Sequence, residues 1–181
     1  MELILPTKEY WNSFKECLKD FQNNPTPYDI GAVKNSFDIS DFENYKKETE
    51  NKRLEKNLSE GRSPHTTFWA IQNGNVVGIL NLRHHLTDAL KIQGGNVAYS
   101  IRPSERRKGY ASQCLKLICE YAWDNFNISE LLITCHENNL ASHSVMKKIM
   151  QENGGYEDSD TISNNHLVKR IWIKTKNSFD K

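Results

Sequence analysis

The feature that most restricts what this chain can fold into is a strand, a glycine-centred turn and an amphipathic helix in immediate succession between residues 96 and 122. Asn96-Val97-Ala98-Tyr99-Ser100-Ile101 reads as a buried strand, and Arg102-Pro103-Ser104-Glu105 ends it, because proline cannot continue a central ladder. Beyond Gly109, the residues Tyr110, Cys114, Leu117, Ile118, Tyr121 and Ala122 recur at helical spacing and form one apolar stripe. Arg106-Arg107-Lys108-Gly109-Tyr110-Ala111 joins the two elements. A glycine followed two residues later by a small residue permits a tight turn, so that the N–H groups opening the helix converge on one anion. In outline this is a pyrophosphate cradle. A run of basic residues before a glycine is also what a solvated turn looks like, so the context has to decide.

Other phosphate binders fit poorly. A Walker-type loop needs G-x-x-x-x-G-K-[ST], and Lys108-Gly109 has neither the preceding glycine nor the following Ser or Thr. The G-x-G-x-x-G of dinucleotide folds is absent. Arg106, Gly109 and Ala111 do match R-x-x-G-x-A, and here the chain resembles the GNAT N-acetyltransferases, whose acetyl-coenzyme A signature this is. Further features agree with that resemblance. Leu131-Leu132-Ile133-Thr134-Cys135 reads as a second buried strand, and Asn139 with Ser142 supplies the asparagine and the small residue three positions later that the family carries. A helix from Ala141 to about Gln151 then stops at Asn153-Gly154-Gly155, and Tyr156 follows as the family's glycine-aromatic start to the next strand. The resemblance covers residues 96–156, roughly a third of the chain.

Composition admits this reading and removes competitors. At 181 residues one domain is expected, long enough to bury roughly two-thirds of the surface that the unfolded chain exposes. Lysine plus arginine number 24 against 23 acidic residues, so a net charge of +1 gives no global field to draw in nucleic acid or an anionic membrane. No run approaches the length of a spanning helix, and Met1-Glu2-Leu3-Ile4 lacks the pattern of a signal peptide. Cys17, Cys114, Cys119 and Cys135 show no CxxC spacing and read as reduced, buried thiols. A cytoplasmic protein without metal, membrane or nucleic-acid partner is expected, as a monomer or homodimer.

The remaining segments fall into place around this centre. Leu3-Ile4-Leu5-Pro6 is a short strand stopped by proline, and Thr7 is expected to cap a helix with Tyr10, Trp11, Phe14, Leu18 and Phe21 on one side. Residues 31–40 are polar, and 41–59 read as one marginal surface helix or two short ones, with Phe42, Tyr45, Leu54 and Leu58 as apolar positions. Residues 66–71 and 76–82 flank Asn73-Gly74, the strongest short-range hairpin signal. A long connection over 83–95 follows, and His166 to Lys174 forms the closing strand. By resemblance the class is α/β (α+β): a single GNAT domain over 1–181, with a mixed sheet of about six to seven strands splayed between the fourth and fifth and about four flanking helices. Its cofactor-binding core lies at about 96–156 and its acceptor-side segments at about 31–63 and 83–95.

The resemblance also implies a chemistry. Acetyl-coenzyme A, as co-substrate, would meet Arg106, Arg107, Lys108, Gly109, Tyr110, Ala111 and Ser112 with its pyrophosphate. Its pantetheine arm would meet Tyr99, Ser100 and Ile101, freed by a bulge that splays the strands, together with Asn139 and Ser142. The acceptor would be a primary amine of a small molecule or a protein N-terminus, attacking directly in a ternary complex. An amine must be neutral to attack. Deprotonating a lysine at pH 7 costs about 4.6 kcal/mol, and an α-amine near 8 only about 1.4. His84, His85, Glu105 and Glu137 are the candidate bases. Solvated histidines, a first-turn acid and a surface glutamate are the plainer readings of the same residues. Many GNAT enzymes carry a tyrosine general acid seven residues after the asparagine, but Met146 stands there. Tyr99 and Tyr110 are the replacements at hand. A non-catalytic acyl-coenzyme A binder of the same fold is the alternative that this departure leaves open.

Overall fold

The computed structural model describes residues 1–36, 39, 41–54 and 62–176. Leu58 and Ser59, which the sequence places in the surface helix, and Ser40 lie outside them. Among the described residues seven strands form two antiparallel sheets. β1 (Glu2–Ile4), β2 (His65–Gln72), β3 (Asn75–Arg83) and β4 (Val97–Ile101) make the first in that order. β5 (Glu130–His136), β7 (His166–Lys174) and β6 (Gly155–Ser163) make the second. Four helices of twelve residues or more flank them: α1 (Trp11–Asn23), α3 (Phe42–Arg53), α5 (Tyr110–Phe126) and α6 (Leu140–Asn153). α2 (Gly31–Lys34) and α4 (Asp88–Ile92) are short additions inside the segments that read as polar connections.

Local chemistry explains most boundaries. Asn73 and Gly74 both adopt positive φ, which supplies the two left-handed residues that a two-residue hairpin between β2 and β3 requires. Asp41 caps α3 by accepting from the N–H groups of Glu43 and Asn44, and Thr87 caps α4 through the Leu90 N–H. Thr7 makes no side-chain cap; a short 3-10 turn, Lys8–Tyr10, leads into α1 instead.

Strand alternation gives the first sheet two apolar faces. On one face Phe68, Leu80, Leu82, Val97 and Ile101 pack against α5 and α6 through Cys114, Leu115, Ile118, Met146 and Ile149. The second sheet adds Leu131, Ile133 and Ile171 to the same core. On the other face Trp69, Ile71 and Ile79 pack against Phe14, Phe21, Phe42 and Tyr45 of α1 and α3. There Phe14 stacks on Trp69 at 4.4 Å between ring centroids, and Tyr45 accepts the Trp69 indole N–H at 3.2 Å. All four cysteines are buried free thiols, as read from the sequence. No helix among the described residues is long and apolar enough to cross a membrane.

Candidate active site

The two sheets meet at one corner and part from there. Asn96 N–H donates to the Leu132 carbonyl at 2.7 Å, and the Asn96 side chain accepts the Leu132 N–H at 2.9 Å. Beyond this clamp β4 and β5 share no ladder. Their edges can be assigned from the bonds at either end. Arg83 N–H donates to Asn96 O and Arg102 N–H to Val77 O, so the alternate residues Ala98 and Ser100 turn their backbone groups to β3. Val97, Tyr99 and Ile101 therefore turn theirs toward β5. In β5, Ser129 and Glu137 bond to the β7 side, which leaves Leu132, Thr134 and His136 facing β4. The result is a cleft with a free strand edge on each wall.

The expected bulge is not what opens it. β4 pairs with β3 in unbroken register, and the register shifts fall in β2 between Ala70 and Ile71 and in β6 between Asp158 and Thr161. The split follows from the second sheet being anchored to β7, while Asn96 and the residues just before it reach across, Gly94 donating its N–H to Thr134 Oγ1 at 2.8 Å. On the helical side the gap is bridged by Tyr99 Oη and Ser142 Oγ at 3.0 Å, and Ser142 Oγ lies 3.6 Å from Met146 Sδ. Burial, partly offset by the Ser142 hydroxyl, pushes the Tyr99 phenol up to about 12.

At the open end of β4 stands the turn from Arg106 to Gly109. Arg107 and Gly109 have φ of 63° and 80°, and Gly109 is the N-cap of α5 without any side-chain cap. The amides of Arg107, Lys108, Gly109, Tyr110, Ala111 and Ser112 find no acceptor among the described residues. Six consecutive unpaired donors at the positive end of a 17-residue helix make an anion site of the kind that phosphate groups fill. The turn is held from behind. Arg106 donates through Nε to the Ile101 carbonyl at 3.1 Å and through Nη2 to buried Asp29 at 3.2 Å. Asp20 takes Arg102 Nε and both the N–H and the hydroxyl of Ser104. Burial acts to raise the Asp20 carboxyl, but the Ser104 and Arg102 hydrogen bonds outweigh it and hold the group below its ordinary value.

On the α1–α3 face of the first sheet lies a cavity of about 540 Å³. Thr67, Asn81 and Ala98 form its floor, one cross-strand row of β2, β3 and β4, and His65 and Arg83 form the adjoining row. α2, α3 and α4 supply the walls. Asn81 is 9% exposed, and its Oδ1 has no hydrogen-bond partner among the described residues. Burial first, then the charges of Arg83 and Lys52, push the His65 imidazole down to about 4, against a weaker contrary pull from the Ser63 carbonyl. It is therefore neutral near pH 7.

Comparisons with known proteins decide the family. The acetyltransferase (GNAT) domain model matches residues 16–149, about three-quarters of the chain. The chain belongs to the GNAT acetyltransferases. The uncharacterized N-acetyltransferase YnaD of Bacillus subtilis (strain 168) is 33% identical over 60 residues, a stretch spanning 33% of this chain and 35% of that relative. RimL, a ribosomal L7/L12 α-N-protein acetyltransferase solved with coenzyme A, superposes with a TM-score of 0.63 at 14% identity, over 95% of this chain and 92% of its own. RimJ of Mycobacterium smegmatis gives 0.67 at 14% identity, over 95% and 80%. The Salmonella typhimurium protein yncA, solved with acetyl-coenzyme A, gives 0.60 at 12%, over 98% and 95%. At these identities the likeness is one of fold.

Within this GNAT frame the sequence-read residues divide. Tyr99 offers its free N–H and carbonyl to the cleft and Ile101 its N–H, the Ile101 carbonyl being taken by Arg106, whereas Ser100 turns its backbone to β3, and its hydroxyl accepts the Ile30 N–H at 3.1 Å on the opposite face. Asn139 caps α6 by accepting the Ser142 N–H at 3.2 Å. His84 and His85 follow β3 beside Asn96, at the closed end. His84 bonds Thr66 at 2.9 Å and stacks on Phe126, and exposed His85 donates its N–H to Ser63. Glu105 is paired to Lys108 at 2.8 Å beside the turn, and Glu137 is exposed just past the end of β5.

Three residues were not among the site residues read from the sequence. Asn81 is a lone amide inside an apolar strand, which was its only signal. His65 opens β2 and faces the cavity. His136 ends β5 at the open end of the cleft, where Gln93 Nε2 donates to its Nε2 at 3.0 Å while Gln93 Oε1 accepts from Ser163. That donation occupies the lone pair a base would use.

Proposed function

We propose that the chain is an acetyl-coenzyme A-dependent N-acetyltransferase, one catalytic domain over residues 1–181, acting on a primary amine of a small molecule or a protein N-terminus. The observation that carries this is the run of six unpaired amides from Arg107 to Ser112 at the mouth of the β4–β5 cleft. These donors suit a pyrophosphate, with the helix dipole adding about 0.3–1 kcal/mol, or about 2 where partly buried. The free N–H and carbonyl of Tyr99 suit the amides of a pantetheine arm, and the N–H groups of Tyr99 and Ile101 suit a thioester oxygen. Acetyl-coenzyme A, when bound, supplies the acetyl group as a thioester.

The acceptor enters from the other face, through the cavity floored by Asn81 and Ala98. The amine nitrogen attacks directly, so that a C–N bond forms as the C–S bond breaks. No imidazole at the site is a ready base: His65 is too weak at about 4, and His136 Nε2 is taken by Gln93. The proton therefore leaves through solvent, with Glu137 an exposed carboxylate just past the open end of β5, and the amines favoured are those already neutral near pH 7. The Tyr99–Ser142 hydroxyl pair is the proton donor placed at the cleft where Met146 cannot serve.

Calorimetry with acetyl-coenzyme A tests the reading. Micromolar binding is expected, reduced at least tenfold in Gly109→Val, because a β-branched residue is strained at φ 80° and the amides no longer converge. Absence of binding, or equal binding by the variant, refutes it. A second reading, a non-catalytic acyl-coenzyme A binder, draws on buried Met146 at the position of the family's tyrosine. Thiol release on adding amines to the bound protein separates the two.

A further inference from the structure

The cavity on the α1–α3 face carries more charge than an amine alone calls for. Its charged lining among the described residues is Lys52, Arg62 and Arg83 against a single carboxylate, Glu48. Glu48 is already matched to Lys52 at 3.9 Å. Arg62 and Arg83 have no carboxylate within ion-pair distance among the described residues. Arg83 is fixed rather than free: its Nη1 donates to the carbonyls of Gly94 and Gly95 at 2.9 and 3.0 Å. Its Nε and Nη2 remain unused by any described residue. Burial, and secondarily the charge of Arg62, makes the Arg83 guanidinium easier to deprotonate. In the neighbouring row buried Asn81 offers an unpaired acceptor, which suits an N–H donor.

We propose that this cavity selects an amine that also bears an oxyanion, with the anionic group held by Arg62 and Arg83 and the amine nitrogen by Asn81 Oδ1. This rests on the acetyltransferase reading, and it names the acceptor's class. Two guanidinium forks suit a carboxylate or a phosphate, since both present paired oxygens to planar donors. A polyamine is disfavoured, because its charges would enter beside three cations with one matched carboxylate to receive them. The adjoining rows of the sheet set the spacing between the two contacts, so a small ligand spans them.

The test is calorimetry in two stages. Coenzyme A is titrated first, and failure there refutes the acetyltransferase reading by itself. The protein saturated with coenzyme A is then titrated with phosphoethanolamine and ethanolamine, with glycine and glycinamide, and with spermidine. At least one anionic amine is expected to bind on the order of tenfold or more tighter than its uncharged partner, the range a charge-assisted hydrogen bond supplies. The two pairs tell phosphate from carboxylate. Arg62→Gln, at an exposed position that leaves the sheet intact, is expected to erase the preference without changing coenzyme A affinity; Arg83→Lys, which keeps the charge, is expected to weaken it. Equal binding within both pairs, tightest binding by spermidine, binding by none of the five, or a preference that survives Arg62→Gln overturns the proposal.

Discussion

Gly95 sits where the two sheets touch, and replacing it by alanine should drive them apart. A Cβ there would stand 2.2 Å from the Leu132 carbonyl oxygen, and that oxygen is backbone in a strand held by β7. The φ of Gly95 is +59°, which costs an alanine roughly 1–2 kcal/mol before any clash is counted. Relieving the clash means moving Leu132 by about 1 Å, enough to lose the Asn96 N–H to Leu132 O bond at 2.7 Å and the Leu132 N–H to Asn96 Oδ1 bond at 2.9 Å. A buried donor left unpaired costs about 1–3 kcal/mol, so with the strain the total expected for Gly95→Ala is roughly 2–5 kcal/mol if one of the two donors stays unpaired, and more if both do. Gly74→Ala is the control. Its φ is +73° with nothing within 4 Å of the added carbon, so it reports the backbone strain alone, about 1–2 kcal/mol. Urea unfolding of both variants gives the difference, and thermal melts should follow at about 2–4 °C per kcal/mol for a chain of this size. If Gly95→Ala costs no more than Gly74→Ala, the corner is not a rigid clamp and the reasoning fails.

Asp29→Ala removes the buried partner of Arg106 and of the Thr26 N–H, so a loss of about 1–3 kcal/mol in urea is expected, together with several-fold weaker acetyl-coenzyme A binding by calorimetry. Asp20 has a lowered folded-state pKa, so its stabilisation is present above the unfolded carboxyl value and is lost as pH falls through the folded one; urea midpoints between pH 5 and 2 should fall less steeply in Asp20→Asn than in the parent. His65 works in the same direction from the basic side. With its folded value near 4, the unfolded chain takes up the proton first, so stability is lost as pH falls from about 6.5 to 4, and His65→Gln should flatten that part of the curve. Without an imidazole base at the cleft, kcat/KM should rise with pH along the titration of the acceptor amine, and a plateau near pH 6.5 with a lysine-like acceptor would contradict this.

The half of the molecule that the sequence describes well is the half built from strong local signals. The apolar run before Pro103, the turn at Gly109 and the stripe of α5 each follow from nearest-neighbour chemistry, and β7 coincides with the run from His166 to Lys174. The acceptor side was much less legible. α2 and α4 are a turn or so long, below what helical periodicity can register, and they exist because Ile30 bonds Ser100 and Thr87 caps Leu90. The cavity brings together residues from β2, β3, β4, α2, α3 and α4, and no spacing along the chain encodes that meeting. His84 and His85 drew notice as a histidine pair in a polar loop, yet one is spent on Thr66 and Phe126 and the other lies at the closed end of the cleft.

The packing of the first sheet has a consequence for how such a protein can change. The cradle and the cleft rest on the core shared by α5, α6 and both sheets, while the cavity rests on the aromatic cluster of Trp11, Phe14, Tyr45 and Trp69 on the far side. Substitutions along α2, α3 and the connection before Gly94 can therefore reshape what the cavity admits without disturbing the amides at Gly109. Two packing units thus share one sheet, one beneath the helix that starts at Tyr110 and one above Asn81, and a substitution in one need not pass to the other.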